Sequence, residues 1–137
     1  MSKSRGSRTD ERSLNRFDDW IAHEFHSTGG FTALVILVTI GELSVTPLRS
    51  TYFHVIGDEV RWAELSTLFA QSGAGWDGVL FAVRPDKDTG GPIADAIARV
   101  ELQTLAEELT ANRLILNDNH FFDRWGRRLK IEEVMVQ

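Results

Sequence analysis

The segment between Gly91 and Asn112 reads as a helix whose apolar residues point two ways, and few folds accommodate that. At about 100° per residue, Ile93, Ile97 and Val100 gather within about 60° of one another. Leu102, Leu105 and Leu109 fall on nearly the opposite side, with Ala98 and Ala106 beside them. Asp95, Arg99, Gln103 and Glu107 recur every fourth residue and divide the two faces with a polar strip. A surface helix carries one apolar stripe, so each of these two needs a cover. The spacing predicts Ile93, Ile97 and Val100 on a sheet. Leu102, Leu105 and Leu109 are then the candidate interface, meeting either the first helix (Phe17, Ile21, Phe25) or a second subunit.

The pattern elsewhere predicts an α+β fold. Leu14, Phe17, Ile21 and Phe25 recur at helical spacing behind a Ser13 N-cap candidate, and Gly29-Gly30 close that helix. Phe31 to Ile40 is apolar without alternation, as in a strand buried on both faces. Thr51 to Ile56 reads as a second strand. Beyond it, either Asp58 caps a helix at once or a tight turn returns through Val60 to Trp62; Leu65, Leu68 and Phe69 then mark a short helix. Trp76 to Val83 is a third strand, and Pro92 at the first helical position opens the two-faced helix.

Leu114-Ile115-Leu116 reads as a short strand, and Phe121-Phe122 with Leu129-Lys130-Ile131 as a hairpin turning at Gly126. Glu132 to Val136 would extend its last strand. Strand–helix–strand occurs twice, over 51–83 and 76–116, and each unit is compatible with a crossover between parallel neighbours. The expected architecture is a mixed sheet of about five strands with two or three helices packed on it. Residues 1–12, Ser-, Arg- and Lys-rich, are expected to form a disordered tail outside it, and 13–137 a single α+β domain.

Charge and composition limit the function classes. The total is −5, but residues 1–12 carry four cations against two carboxylates, a net +2, which leaves −7 on the remainder. An acidic body disfavours general binding to phosphate backbones. No cysteine is present, which excludes disulfides and thiolate chemistry and suits a cytoplasmic setting. The longest apolar run, Ala33 to Val38, is too short to span a bilayer.

Candidate chemistry is sparse. Gly73-Ala74-Gly75-Trp76-Asp77-Gly78 spells G-x-G-x-x-G, but a helix precedes it and a strand follows, the reverse of a dinucleotide turn. Thr89, Gly90 and Gly91 leave a strand and open a helix, where free N–H groups suit an anion, although Asp86 and Asp88 crowd them. Asp118 and His120 offer an acid and a base near Asp123, in a stretch that a turn would also select.

His23 and His26 lie three apart on the first helix, but His-Glu-Phe-His is not H-E-x-x-H and the remaining donors His54, His120 and Asp118 are scattered through the sequence, so neither metal nor cofactor is expected. Residues 113–130 carry a net +3 with Phe121, Phe122 and Trp125 interleaved, a pattern that serves single-stranded nucleic acid or an ordinary hairpin. The reading that results is a small cytoplasmic protein acting by self-association, as a dimer, or by binding a protein partner. Its rival is a small enzyme or anion-binding domain built on the Thr89–Pro92 helix start and the Asn117–Asp123 turn.

Overall fold

A computed structural model of the chain describes residues 14–131, so the tail at 1–12, the Ser13 cap and the extension at 132–136 lie outside the described residues. Among residues 14–131, four strands form one sheet: β1 (Phe31–Ile40), β2 (Val45–Val55), β3 (Gly78–Arg84) and β4 (His120–Asp123), in the order β2-β1-β3-β4. Every neighbouring pair is antiparallel. Among the described residues, three α-helices accompany them, α1 (Phe17–Thr28), α2 (Trp62–Ala70) and α3 (Asp95–Ala111), with a 3₁₀ helix at Arg113–Asp118. The fold is α+β, as the pattern indicates, with four strands rather than five.

β1 is the central strand. Its run of Val, Ile and Leu buries both faces, because helices cover the sheet on both sides. On one side Ala33, Val35 and Leu37 join Val79, Phe81 and Phe122 under Phe17, Trp20 and Ile21 of α1 and Leu65 and Phe69 of α2. On the other, Leu34, Ile36, Leu80, Ala82 and Phe121 lie against Ala98, Leu102, Leu105 and Leu109 of α3.

Local chemistry sets several boundaries. Gly29 ends α1 in the left-handed region (φ 80°), its N–H donating to Phe25 O at 2.7 Å. The Asp18 carboxylate of α1 accepts from Trp62 N–H at 2.7 Å, so one helix caps the start of the next. Residues 57–58 form the turn and α2 begins at Trp62, the second of the two alternatives, without a strand between them.

Four expectations are corrected. First, the sheet is wholly antiparallel rather than mixed. β2-α2-β3 does join parallel strands, but β1 lies between them, because β1 pairs antiparallel with both. The second unit, β3-α3-β4, joins antiparallel neighbours. Second, Leu114-Ile115-Leu116 belongs to the 3₁₀ helix; the Asn112 side chain accepts from Leu114 N–H at 3.0 Å and winds the chain there.

Third, the hairpin return beyond Gly126 is not a strand. It touches β4 through the Phe122–Arg128 bridge, and Leu129 N–H donates to Phe121 O at 2.8 Å. Gly126 itself has φ 77°, and a β-carbon there would meet the Trp62 ring at 2.8 Å, so glycine is required twice over. Fourth, α3 starts at Asp95, not Pro92. Ile93 precedes the helix and is buried in the core, its N–H donating to Thr32 Oγ1 at 3.0 Å.

The faces of α3 are therefore the reverse of those expected. Its leucine row packs on the sheet, while Ile97 (49% exposed) and Val100 (65%) point outward. α1 lies across the sheet, so it cannot cover the leucines.

Candidate functional site: an open sheet edge and its groove

The two edges of the sheet differ. Beside β4 the returning chain fills the outer side, with Asp123 N–H donating to Arg127 O and Leu129 N–H to Phe121 O, both at 2.8 Å. Beside β2, among the described residues, no strand pairs with the outer side. The register pairs Thr51 with Val35, Phe53 with Ala33 and Arg49 with Leu37, so these three β2 residues share the sheet face that carries α2.

Between β2 and α2 the sheet is incompletely covered. A groove of about 640 Å³ opens there, with Val35 and Leu37 at its floor and Leu65, Leu68 and Phe69 along the helix wall. Thr51, Phe53 and Arg49 form the strand wall, and Ile56, Glu59, Val60 and Glu64 line it where β2 passes into α2. Ile56 is 77% exposed and Leu68 59% exposed, two large apolar side chains at one opening. A groove of this size, mainly apolar with a few polar groups, has the general character of a binding site.

His54 of β2 lines the same groove and is held by a relay. Thr32 Oγ1 accepts from Ile93 N–H, which leaves its own proton for His54 Nδ1 at 2.9 Å. His54 Nε2–H then donates to Asp95 Oδ1 at 2.9 Å, an assignment that follows from the partners. The hydroxyl–imidazole–carboxylate order resembles a catalytic triad in outline. Thr32 is fully buried, however, so no substrate reaches its oxygen. The relay fastens the start of α3 to β1 and β2.

The His54 hydrogen bond is the main cause that holds the Asp95 carboxyl below its ordinary value. The folded state thus favours the ionised carboxylate. Its contribution to stability is present above about pH 4 and is lost as pH falls through the lowered folded value. In urea titrations, Asp95→Asn should lower stability at neutral pH and flatten part of the acid-side fall, so that variant and wild type converge at low pH. An acid limb identical to wild type would show that this pair is not linked to folding.

The residues singled out in the sequence are dispersed. Leu102, Leu105 and Leu109 are buried against their own sheet and are not available to a partner. Thr89 and Gly90 keep no open anion cradle: Asp88 and Thr89 N–H donate to Asp86 Oδ1, Gly90 N–H donates to Asp86 O, and Gly91 O accepts from Asp86 N–H. The loop's own carboxylate sits where an anion would, and those N–H bonds lower the Asp86 pKa.

Asp118 is exposed, whereas His120 is buried and stacked on Trp20 with ring centroids 4.4 Å apart. A second cavity of about 430 Å³ is lined by Asn117, Asn119 and Arg128; neither cavity is lined by Thr89 or Gly90, so the two polar segments do not converge. Asp123 accepts from Trp125 N–H, Arg127 N–H and Arg127 Nε, the work of a turn.

His26 faces Asp58 at 3.3 Å, and among the described residues no three metal-binding side chains gather. Phe121 and Phe122 are buried on opposite faces of the sheet, so the basic hairpin has no row of open rings to stack bases on. No helix among the described residues is long and apolar enough to cross a membrane.

Arg49, Ile56, Glu59, Glu64 and Leu68 were not visible as a group in the sequence. The available signal was β2 itself, which mixes Arg, Ser, Thr and His on both faces, unlike the uniformly apolar β1. That contrast separates an edge strand from a central one. Compared with known proteins, the chain matches no family model, no curated protein and no solved structure.

Proposed function

We propose that the protein acts by association, receiving an extended strand from a protein partner along the outer edge of β2. The observation that carries this reading is the open edge from Leu48 to Val55 beside the apolar groove under α2. That stretch contains no proline and no lysine, the usual devices that blunt an exposed edge; Pro47 stands at its end. Main-chain bonds along such an edge supply affinity, and alternate side chains of the added strand reach into the neighbouring groove. The reading needs no cofactor. It places the chain in the cytoplasm, where a protein without cysteine meets no requirement for oxidation.

Amide hydrogen exchange tests it. In the dilute chain, alternate amides between Leu48 and Val55 should exchange fast because they point outward, while those bonded to β1 stay protected. Uniform protection along β2 in a protein shown to be monomeric would mean that the chain covers its own edge, and the reading would fall.

A further inference from the structure

The geometry points to a second copy of this chain as the strand that β2 receives, the two edges pairing antiparallel about a two-fold axis near Thr51. This rests on the reading of β2 as the docking edge; the charge distribution along the groove selects the occupant. β2 passes into α2 through the short connection 56–61, so Glu59 and Glu64 stand at the Val55 end of the groove. Arg49 lies six residues back along the strand, about 20 Å away at the usual rise.

Among the described residues Arg49 pairs with no carboxylate. Its guanidinium donates to the carbonyl of adjacent Leu48 at 3.1 Å, and the ion pairs among the described residues involve other groups. A groove with a cation at one end and two carboxylates at the other is complementary to itself when reversed. Antiparallel pairing about a two-fold axis performs that reversal, laying each Arg49 end against the partner's Glu59–Glu64 end twice over.

Register follows from the pleat. Residues directly opposite in an antiparallel pair share a face, so odd β2 positions must meet odd ones for both grooves to lie on one side. Pairing centred on Thr51 sets Thr51 opposite the partner's Thr51 and Arg49 opposite the partner's Phe53. Centring on Arg49 would oppose like charges, which is destabilising. The Thr51 register uses the stretch free of proline and leaves Pro47 at the rim. The joint makes one continuous sheet of both copies, and each copy's Ile56 and Leu68 border a groove closed on its open side.

An introduced thiol reports the pairing without background, because the chain has no cysteine. Under oxidation Thr51→Cys should yield a covalent dimer, and Glu107→Cys on the exposed side of α3 should not. By light scattering the wild type should show twice the chain mass at high micromolar concentration. Arg49→Glu and Glu64→Arg should each raise the dissociation constant about tenfold or more, and the double variant should recover much of that loss. Both positions are exposed, and circular dichroism checks that each variant is folded.

A wild type that stays monomeric overturns the second copy. If its outward β2 amides still exchange fast, the edge remains open to another protein's strand; if all are protected, the docking edge falls as well. A dimer captured by Glu107→Cys and not by Thr51→Cys also overturns the proposal.

Discussion

Leu105→Glu is expected to abolish folding rather than to release a folded monomer. Leu105 is 2% exposed and belongs to the cluster of Leu34, Ile36, Leu80 and Phe121 beneath α3. Truncating such a leucine to alanine costs about 2–5 kcal/mol, against a total domain stability of about 5–15 kcal/mol. A carboxylate at the same place adds the penalty of burying a charge with no partner. The same charge at Val100, on the outward side of the helix, should change stability by about 0.5 kcal/mol or less. Urea or thermal unfolding followed by circular dichroism separates the two. A cooperatively folded Leu105→Glu protein would contradict the placement of α3.

The other large effect is expected at Phe17, which is fully buried where α1, α2, β3 and β4 meet. Its ring lies 4.9 Å from that of Phe81, 5.3 Å from Trp62, 5.5 Å from Phe122 and 5.6 Å from Trp20. Its N–H donates to Gly126 O at 2.8 Å, so the residue also fastens α1 to the turn after β4. Phe17→Ala should cost about 3–5 kcal/mol, because four ring contacts lose a partner and the rigid neighbours cannot collapse into the space. Trp125→Ala, at an exposed ring, should cost far less. A loss below about 1 kcal/mol at Phe17 would mean that the aromatic cluster is not packed as described.

How much of this was legible in the sequence depends on the range over which each feature is decided. β1 was readable because ten residues without alternation require cover on both faces, and α1 and α3 supply it. α1 was readable from its stripe and from Gly29. Strand order was not: β1 pairs with β3 across 37 intervening residues, and no local pattern records that β1 slots between β2 and β3.

The faces of α3 were misassigned for a local reason. Counting Pro92 as its first residue placed Ile93 on the same face as Ile97 and Val100. With the helix beginning at Asp95, that face keeps two apolar residues, whereas the leucine row keeps all three with Ala98 beside them. The longer row goes inward, as burial of apolar area requires. The candidate site was hidden by the same missing strand order, because a groove at an edge cannot be located before the edge is known. Thr89–Gly91 drew notice for glycines that serve a loop closed on Asp86.

Amide hydrogen exchange of β2, recorded as protein concentration is raised while light scattering follows the mass, tests the central claim most directly. The account predicts that alternate amides between Leu48 and Val55 are open in the monomer. They should slow by about tenfold or more as the mass doubles, with the remaining β2 amides protected throughout. Outward amides that stay fast in a protein of doubled mass would place the contact elsewhere and contradict it.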